Sequence, residues 1–248
     1  MEVHPPHAAA PPSQRWQRVH AALRWLLSLD PKEELPTDPL DTLYRSFHLT
    51  AKCRYNASIR LRRLGRFSFI TGIVLALGLI FIPLLQLSDL KLAYPTRVLN
   101  TLQIFLAVAA LVYSVINATA HYETRSRALN DSGDSIKALS RELRTAKNPP
   151  DAKPVDLQSF NQRYEAITTK SENHTRSDYW LALLQASQVH RITGFPRLWL
   201  YVKTYVSQLT PYSIPALLMA FELLLILDIL FVTRVFTSLF NTLAGRPG

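Results

Sequence analysis

One cysteine, Cys53, in 248 residues rules out an intrachain disulfide and any zinc site built on paired cysteines. Seven glycines leave no GxGxxG and no GxxxxGK phosphate loop, and no GxSxG nucleophile elbow occurs. Histidines 4, 7, 20, 48, 121, 174 and 190 form no HExxH-type ligand pair. These absences argue against an enzyme, and no catalytic, cofactor-binding or metal-ligating residue is assigned. Acidic residues are scarce too: 18 Asp and Glu stand against 28 Lys and Arg, a net charge of +10. A basic surplus suits nucleic acid or an anionic membrane surface. No aromatic stacking pattern accompanies the arginines, which argues against nucleic acid and for the lipid bilayer.

The apolar residues bunch into three blocks instead of spreading as in a soluble core. Residues 67–87, "FSFITGIVLALGLIFIPLLQL", carry no charge over 21 positions, and a helix needs about 20 such residues to cross a bilayer. Residues 98–118, "VLNTLQIFLAVAALVYSVINA", are equally uncharged. The short link between them makes the two spans an antiparallel hairpin. The third block, 212–233, "YSIPALLMAFELLLILDILFVT", contains Glu222 and Asp228. Each acid near the centre of a span costs about 2.5–3.5 kcal/mol, and thirteen Leu, Ile, Phe and Val residues return about 4–8 kcal/mol in total. The sum is near zero, so this span needs neighbouring helices; the alternative is an apolar helix in the interface or packed in protein. The fold class is thus an all-α membrane protein: a transmembrane hairpin, cytoplasmic helices and a third C-terminal span.

No cleavable signal peptide is visible. Lys52, Arg54, Arg60, Arg62, Arg63 and Arg66 precede the first span, and Arg125, Arg127, Lys137, Arg141 and Arg144 follow the second, whereas the hairpin link has only Lys91 and Arg97. The positive-inside rule puts the N-terminus and the middle region in the cytoplasm, with the hairpin tip outside. Arg60, Arg62, Arg63 and Arg66 are candidate contacts for anionic lipid.

The polar segments divide into three regions. Residues 1–40 hold a tail, an amphipathic helix with Trp16, Val19, Leu23, Leu26 and Leu27 on one face, and a linker. That helix lies on a membrane surface or packs on its own protein. In residues 41–185 one helix runs into the first span. After the second span Tyr122, Leu129, Ile136 and Leu143 recur every seven residues, with Leu139 at the other seam position. This is the pattern of a helix pairing with another helix and a candidate oligomer seam, although Gly133 in "NDSGD" is expected to break it. "NPPDAKP" reads as a loop, and Ser177 in "NHTRSD" as a helix cap. Residues 186–248 carry an interfacial segment, "GFPRLWLYVKTYV", before the third span.

"CRYNASIRLRRLGRFSF", the two-span hairpin, "YETRSRALNDSGDSIKALSREL" and "YEAITTKSENHTRSDYW", in that order, resemble the SLATT family of bacterial two-transmembrane effectors. The resemblance covers roughly residues 40–185, with its most specific pieces at Arg127–Leu129 and 172–180. It implies a conflict-system effector that opens a membrane pore when a sensor partner is triggered, and together with the hairpin and the seven-residue repeat it points to an oligomer in the bacterial inner membrane. Nucleotidyltransferases, SLOG proteins and, in one subfamily, reverse transcriptases are the partners it implies. The alternative is a non-lytic scaffold or signalling subunit.

In the second span Asn100, Gln103, Ala107, Ala110, Ser114 and Asn117 fall within an arc of about 100°, a stripe for a pore lumen or for helix packing. Glu222 and Asp228 are six positions apart, about 120° around a helix, and cannot serve one reaction centre. Asp228, near the outer boundary and close to Arg234, is expected to reach headgroup water. Glu222 is expected either to form a cation-selective ring from several subunits or to pack, neutral or bonded to an amide such as Gln103.

Overall fold

The computed structural model describes residues 14–28, 38–88, 90–147, 155–186 and 192–236, and every regular element among them is helical. In chain order these are α1 (Gln14–Leu27), α2 (Pro39–Leu87), α3 (Thr96–Thr119), α4 (Tyr122–Lys147), α5 (Leu157–Thr168), α6 (Arg176–Gln185), α7 (Gly194–Leu209), a 3-10 turn (Thr210–Tyr212) and α8 (Ser213–Ile229). The "NPPDAKP" loop lies outside the described residues, as do most of the 30–39 linker and the side chains of Trp16 and Val19.

Asp38 starts the longest element. Its side chain accepts from the Leu40 amide at 3.0 Å, and Pro39 occupies the first helical position, where a missing N–H costs nothing. From there α2 runs 49 residues, about 74 Å of rise, through a polar half and then the first apolar block. Pro83 is tolerated near its end, where the helix is about to stop at Ser88.

The polar half of α2 pairs with α4, its most extensive partner, to form a stalk. The two helices run antiparallel. Gly65 meets Tyr122, Leu61 and Ala57 pack on Leu129, and Phe47 and Ala51 pack on Ile136, Leu139 and Leu143. Lys147 closes the far end on Asp41 at 2.5 Å. The five seam residues are thus filled by α2 of the same chain. Leu129, Ile136, Leu139 and Leu143 are buried, and this seam needs no second subunit to bury it. Gly133 does not break α4. It faces the Tyr55 ring, where an added Cβ would stand 3.0 Å from a ring carbon, so the glycine provides close approach. α5 covers the seam with Phe160, Tyr164 and Ile167, and the Tyr164 ring stacks on Phe47 at 4.8 Å.

Among the described residues three helices are long and apolar enough to cross a membrane: α2, the α3–α4 helix and the α7–α8 helix. Their outward faces carry Phe69, Ile73, Leu77 and Ile80 on α2 and Ile104, Phe105, Val108 and Leu111 on α3, all exposed. A surface this apolar needs lipid around it. The chain is a multi-pass membrane protein. α3 returns antiparallel to α2, from Gln86–Asn100 (3.1 Å) at the tip to the Tyr113 hydroxyl on the Ser68 carbonyl (3.4 Å) near the stalk. A left-handed turn at His121 (φ 48°) then redirects the chain into α4.

α8 runs parallel to α2 along the membrane. Tyr212 meets Phe67, Met219 meets Thr71, Glu222 meets Gly78, and Ile229 joins Leu85 and Tyr94 in the core at the tip. The contacts advance together along both helices, so α8 spans the same thickness and ends on the tip side. At the stalk side α1 docks on α7. The Thr193 hydroxyl donates to the Trp25 carbonyl (2.6 Å), and Gly194, at φ 60°, leaves no room for a Cβ against Leu26. Leu23, Leu26 and Leu27 of α1 and Phe195, Leu198 and Trp199 of α7 remain exposed.

Candidate functional site: a polar latch below two buried acids

Two polar clusters lie on either side of the membrane boundary. The first joins α2 to the turn before α6. Arg54, on α2, is 3 % exposed and donates to the carbonyls of Glu172 and Thr168. Two turns on, Arg60 Nε and Nη2 each lie 3.0 Å from a different oxygen of Asp178, a bidentate pair. Asp178 is fully buried and also accepts from the Thr175 amide (3.0 Å) and hydroxyl (2.7 Å). Thr175, not Ser177, is therefore the residue that starts α6, because its extended backbone lets Asp178 reach back to it. Asn56 donates to the Asp178 carbonyl and to Gln185, both at 3.3 Å, and Arg125 of α4 clamps the Glu172 carboxylate at 2.7 Å. The segments "CRYNASIR" and "ENHTRSDYW" thus form one latch.

This geometry corrects the role of Arg60, whose guanidinium is held by Asp178. Arg62, Arg63 and Arg66 remain exposed near the membrane. Burial pushes the Cys53 thiol up to about 12, with Asp178 adding to the effect, so Cys53 is an inert packing residue. Burial, reinforced by Arg54 and opposed by Asp178, lowers the His174 pKa. Among the described residues no three His, Cys, Asp or Glu side chains gather as metal ligands.

The second cluster is inside the membrane. Glu222 is fully buried between α8 and α2, pressed onto Gly78, and neither carboxyl oxygen has a hydrogen-bond partner. Gln103 does not bond it. Gly78 is the reason the acid fits, since any side chain there would occupy the carboxyl's place. Asp228 does not reach headgroup water. It is fully buried at the tip, where it accepts from the Tyr94 hydroxyl, the Thr233 hydroxyl (3.1 Å) and the Phe236 amide (3.1 Å). Beside it the Ala93 amide donates to the Ile229 carbonyl at 3.1 Å. The hairpin link is therefore fastened to the end of α8. Tyr94 and Thr233 were missed in the sequence because each is an ordinary loop residue until the fold brings it to Asp228.

On α3 the buried line is Leu99, Leu106 and Tyr113, and the polar stripe lies along its flank. Asn100, Ala107 and Ser114 are exposed, while Gln103, Ala110 and Asn117 are half-buried. Asn100 is engaged by Gln86.

A long helix shared between a polar stalk and a three-helix apolar bundle, latched at the boundary, defines a multi-pass helical membrane protein. The chain belongs to the family described as SMODS and SLOG-associating 2TM effector domain family 5, whose model matches residues 37–232. The matched stretch includes α8, so the third apolar helix lies within the family domain and not beyond it. No curated protein and no solved structure matches the chain.

Proposed function

We propose that this protein is a non-enzymatic, homo-oligomeric effector of a bacterial conflict system that permeabilises the inner membrane when a partner triggers it. The family description names an effector associated with SMODS and SLOG proteins, and a partner of that kind encoded nearby is the proposed trigger. The observation that carries the reading is the continuity of α2. One helix links the latch at Arg54 and Arg60 to Gly78, beneath Glu222, so a partner acting on the stalk acts on the membrane bundle. The basic flanks support a cytoplasmic stalk and N-terminus.

The exposed edge of the α3 stripe, Ala107 and Ser114, is the proposed lumen-facing surface of the assembly, because α3 spends its buried line on Leu99, Leu106 and Tyr113. Glu222 faces α2 in the single chain; a ring of these acids requires α8 to leave Gly78. Regulated expression of the chain with its triggering partner, read with a potential-sensitive dye, tests the proposal. Collapse of the membrane potential on triggering is expected. Growth arrest with the potential intact would favour the scaffold or signalling reading.

A further inference from the structure

Where the stalk enters the membrane, α2, α6, α7 and the 3-10 turn enclose a cavity of about 390 Å³. Arg63, Tyr205, Gln208 and Tyr212 line it, with Ile59 and Leu209 exposed beside them. Among the described residues none of those four polar side chains makes a hydrogen bond to the rest of the protein, so four donor groups gather without a protein partner, Arg63 and Tyr205 open to solvent. The acid bonded to its wall, Asp178, is neutralised by Arg60 and turned toward Thr175. Among the described residues lining the cavity, the charge left without an ion-pair partner is the Arg63 guanidinium, and an anion with several acceptor oxygens fits it.

Depth identifies the source of that anion. Tyr212 packs its ring edge-on to Phe67 at 5.3 Å, Phe67 opens the uncharged run of α2, and Ser213 opens α8. The cavity thus stands about one helical turn outside the hydrocarbon, at headgroup level. Leu209, 62 % exposed beside the 3-10 turn, supplies an apolar rim along which an acyl chain can leave toward the hydrocarbon.

We propose that this cavity binds the phosphate of a phospholipid with net negative charge in the stalk-side leaflet, a headgroup with no cation of its own to oppose Arg63. The lipid bridges α2 to the joint between α7 and α8, and so holds the third span in its docked position. The inference rests on the chain being membrane-embedded and is independent of pore formation.

The test uses the full-length protein in phosphatidylcholine nanodiscs with or without phosphatidic acid, read by thermal melting and by native mass spectrometry of retained lipid. Phosphatidic acid is expected to raise the melting temperature and to be retained. Arg63→Gln is expected to weaken retention about tenfold, the loss of a charge-assisted contact. Gln208→Leu, a second and milder variant, weakens it in the same direction. Arg62→Gln with Arg66→Gln, which removes twice the basic charge outside the cavity, weakens it less than Arg63→Gln alone. Equal losses from the two sets of arginines would overturn the site and leave only a diffuse basic surface. Stabilisation by soluble glycerol phosphate in pure phosphatidylcholine discs, with none from phosphatidic acid, would overturn the lipid as the source.

Discussion

Glu222 and Gly78 act as one contact. An ionised carboxylate with no donor in reach costs about 2.5–3.5 kcal/mol at this depth, and the docked geometry gives it none. The neutral isostere Glu222→Gln is therefore expected to keep α8 on α2, whereas Gly78→Leu fills the space the side chain occupies and forces the helices apart. A cysteine pair at Thr71 and Met219, whose side chains touch at 3.2 Å, reports the docking as disulfide yield. High yield is expected in the parent and in Glu222→Gln, and low yield in Gly78→Leu. Equal yield in all three would show that the glycine is not needed for the contact.

The Arg60–Asp178 pair belongs to the same scale. Asp178 is fully buried and Arg60 nearly so, so removing one partner strands a charge. Arg60→Met is expected to cost about 3–5 kcal/mol of stalk stability, measured by denaturant melting in detergent. Arg60→Met combined with Asp178→Asn is expected to cost clearly less, because the asparagine keeps an acceptor for Thr175 without the buried charge. If the double variant is as unstable as the single one, the pair contributes packing and not charge compensation.

At the scale of elements, α4 is the informative case. Its seven-residue repeat specifies a partner helix without saying which, and α2 of the same chain supplies it through Phe47, Ala51, Ala57 and Leu61. Ile136→Asp with Leu143→Asp places two charges in a closed apolar seam. The expected result is collapse of the stalk, each substitution costing several kcal/mol, seen as rapid proteolysis of residues 122–168. A stalk that stays protease-resistant while the protein loses its oligomers would instead assign the seam to contacts between chains.

At the scale of the whole molecule, the parallel course of α8 and α2 sets the topology. Reporter fusions near Lys91 and after Thr233 are expected to fall on one side of the membrane, and fusions near Lys147 on the other. The Lys and Arg distribution makes Lys147 the cytoplasmic side. Equal accessibility at Lys91 and Lys147 from the cytoplasm would overturn the arrangement.

Both hairpin spans and the seam positions on α4 were legible in the residues, because hydrophobic length and periodicity are local properties. α3 and α8 begin and end within about four residues of the expected blocks, and α2, expected as one helix running from the polar region into the first span, ends with its block at Leu87. The partners of the polar groups were not legible. Asp228 next to Arg234 looked like a headgroup acid, Arg60 in a run of arginines looked like a lipid contact, and Gly133 in "NDSGD" looked like a helix breaker. Each is decided by a residue far along the chain: Tyr94 for Asp228, Asp178 for Arg60 and Tyr55 for Gly133. The sequence by itself determined that this chain is helical, apolar enough for a bilayer and basic at one face, since those follow from what each stretch can bury. Only the tertiary structure decided which helix fills the seam and where the two acids go, because a buried polar group is defined by the partner that meets it and not by its neighbours in the chain.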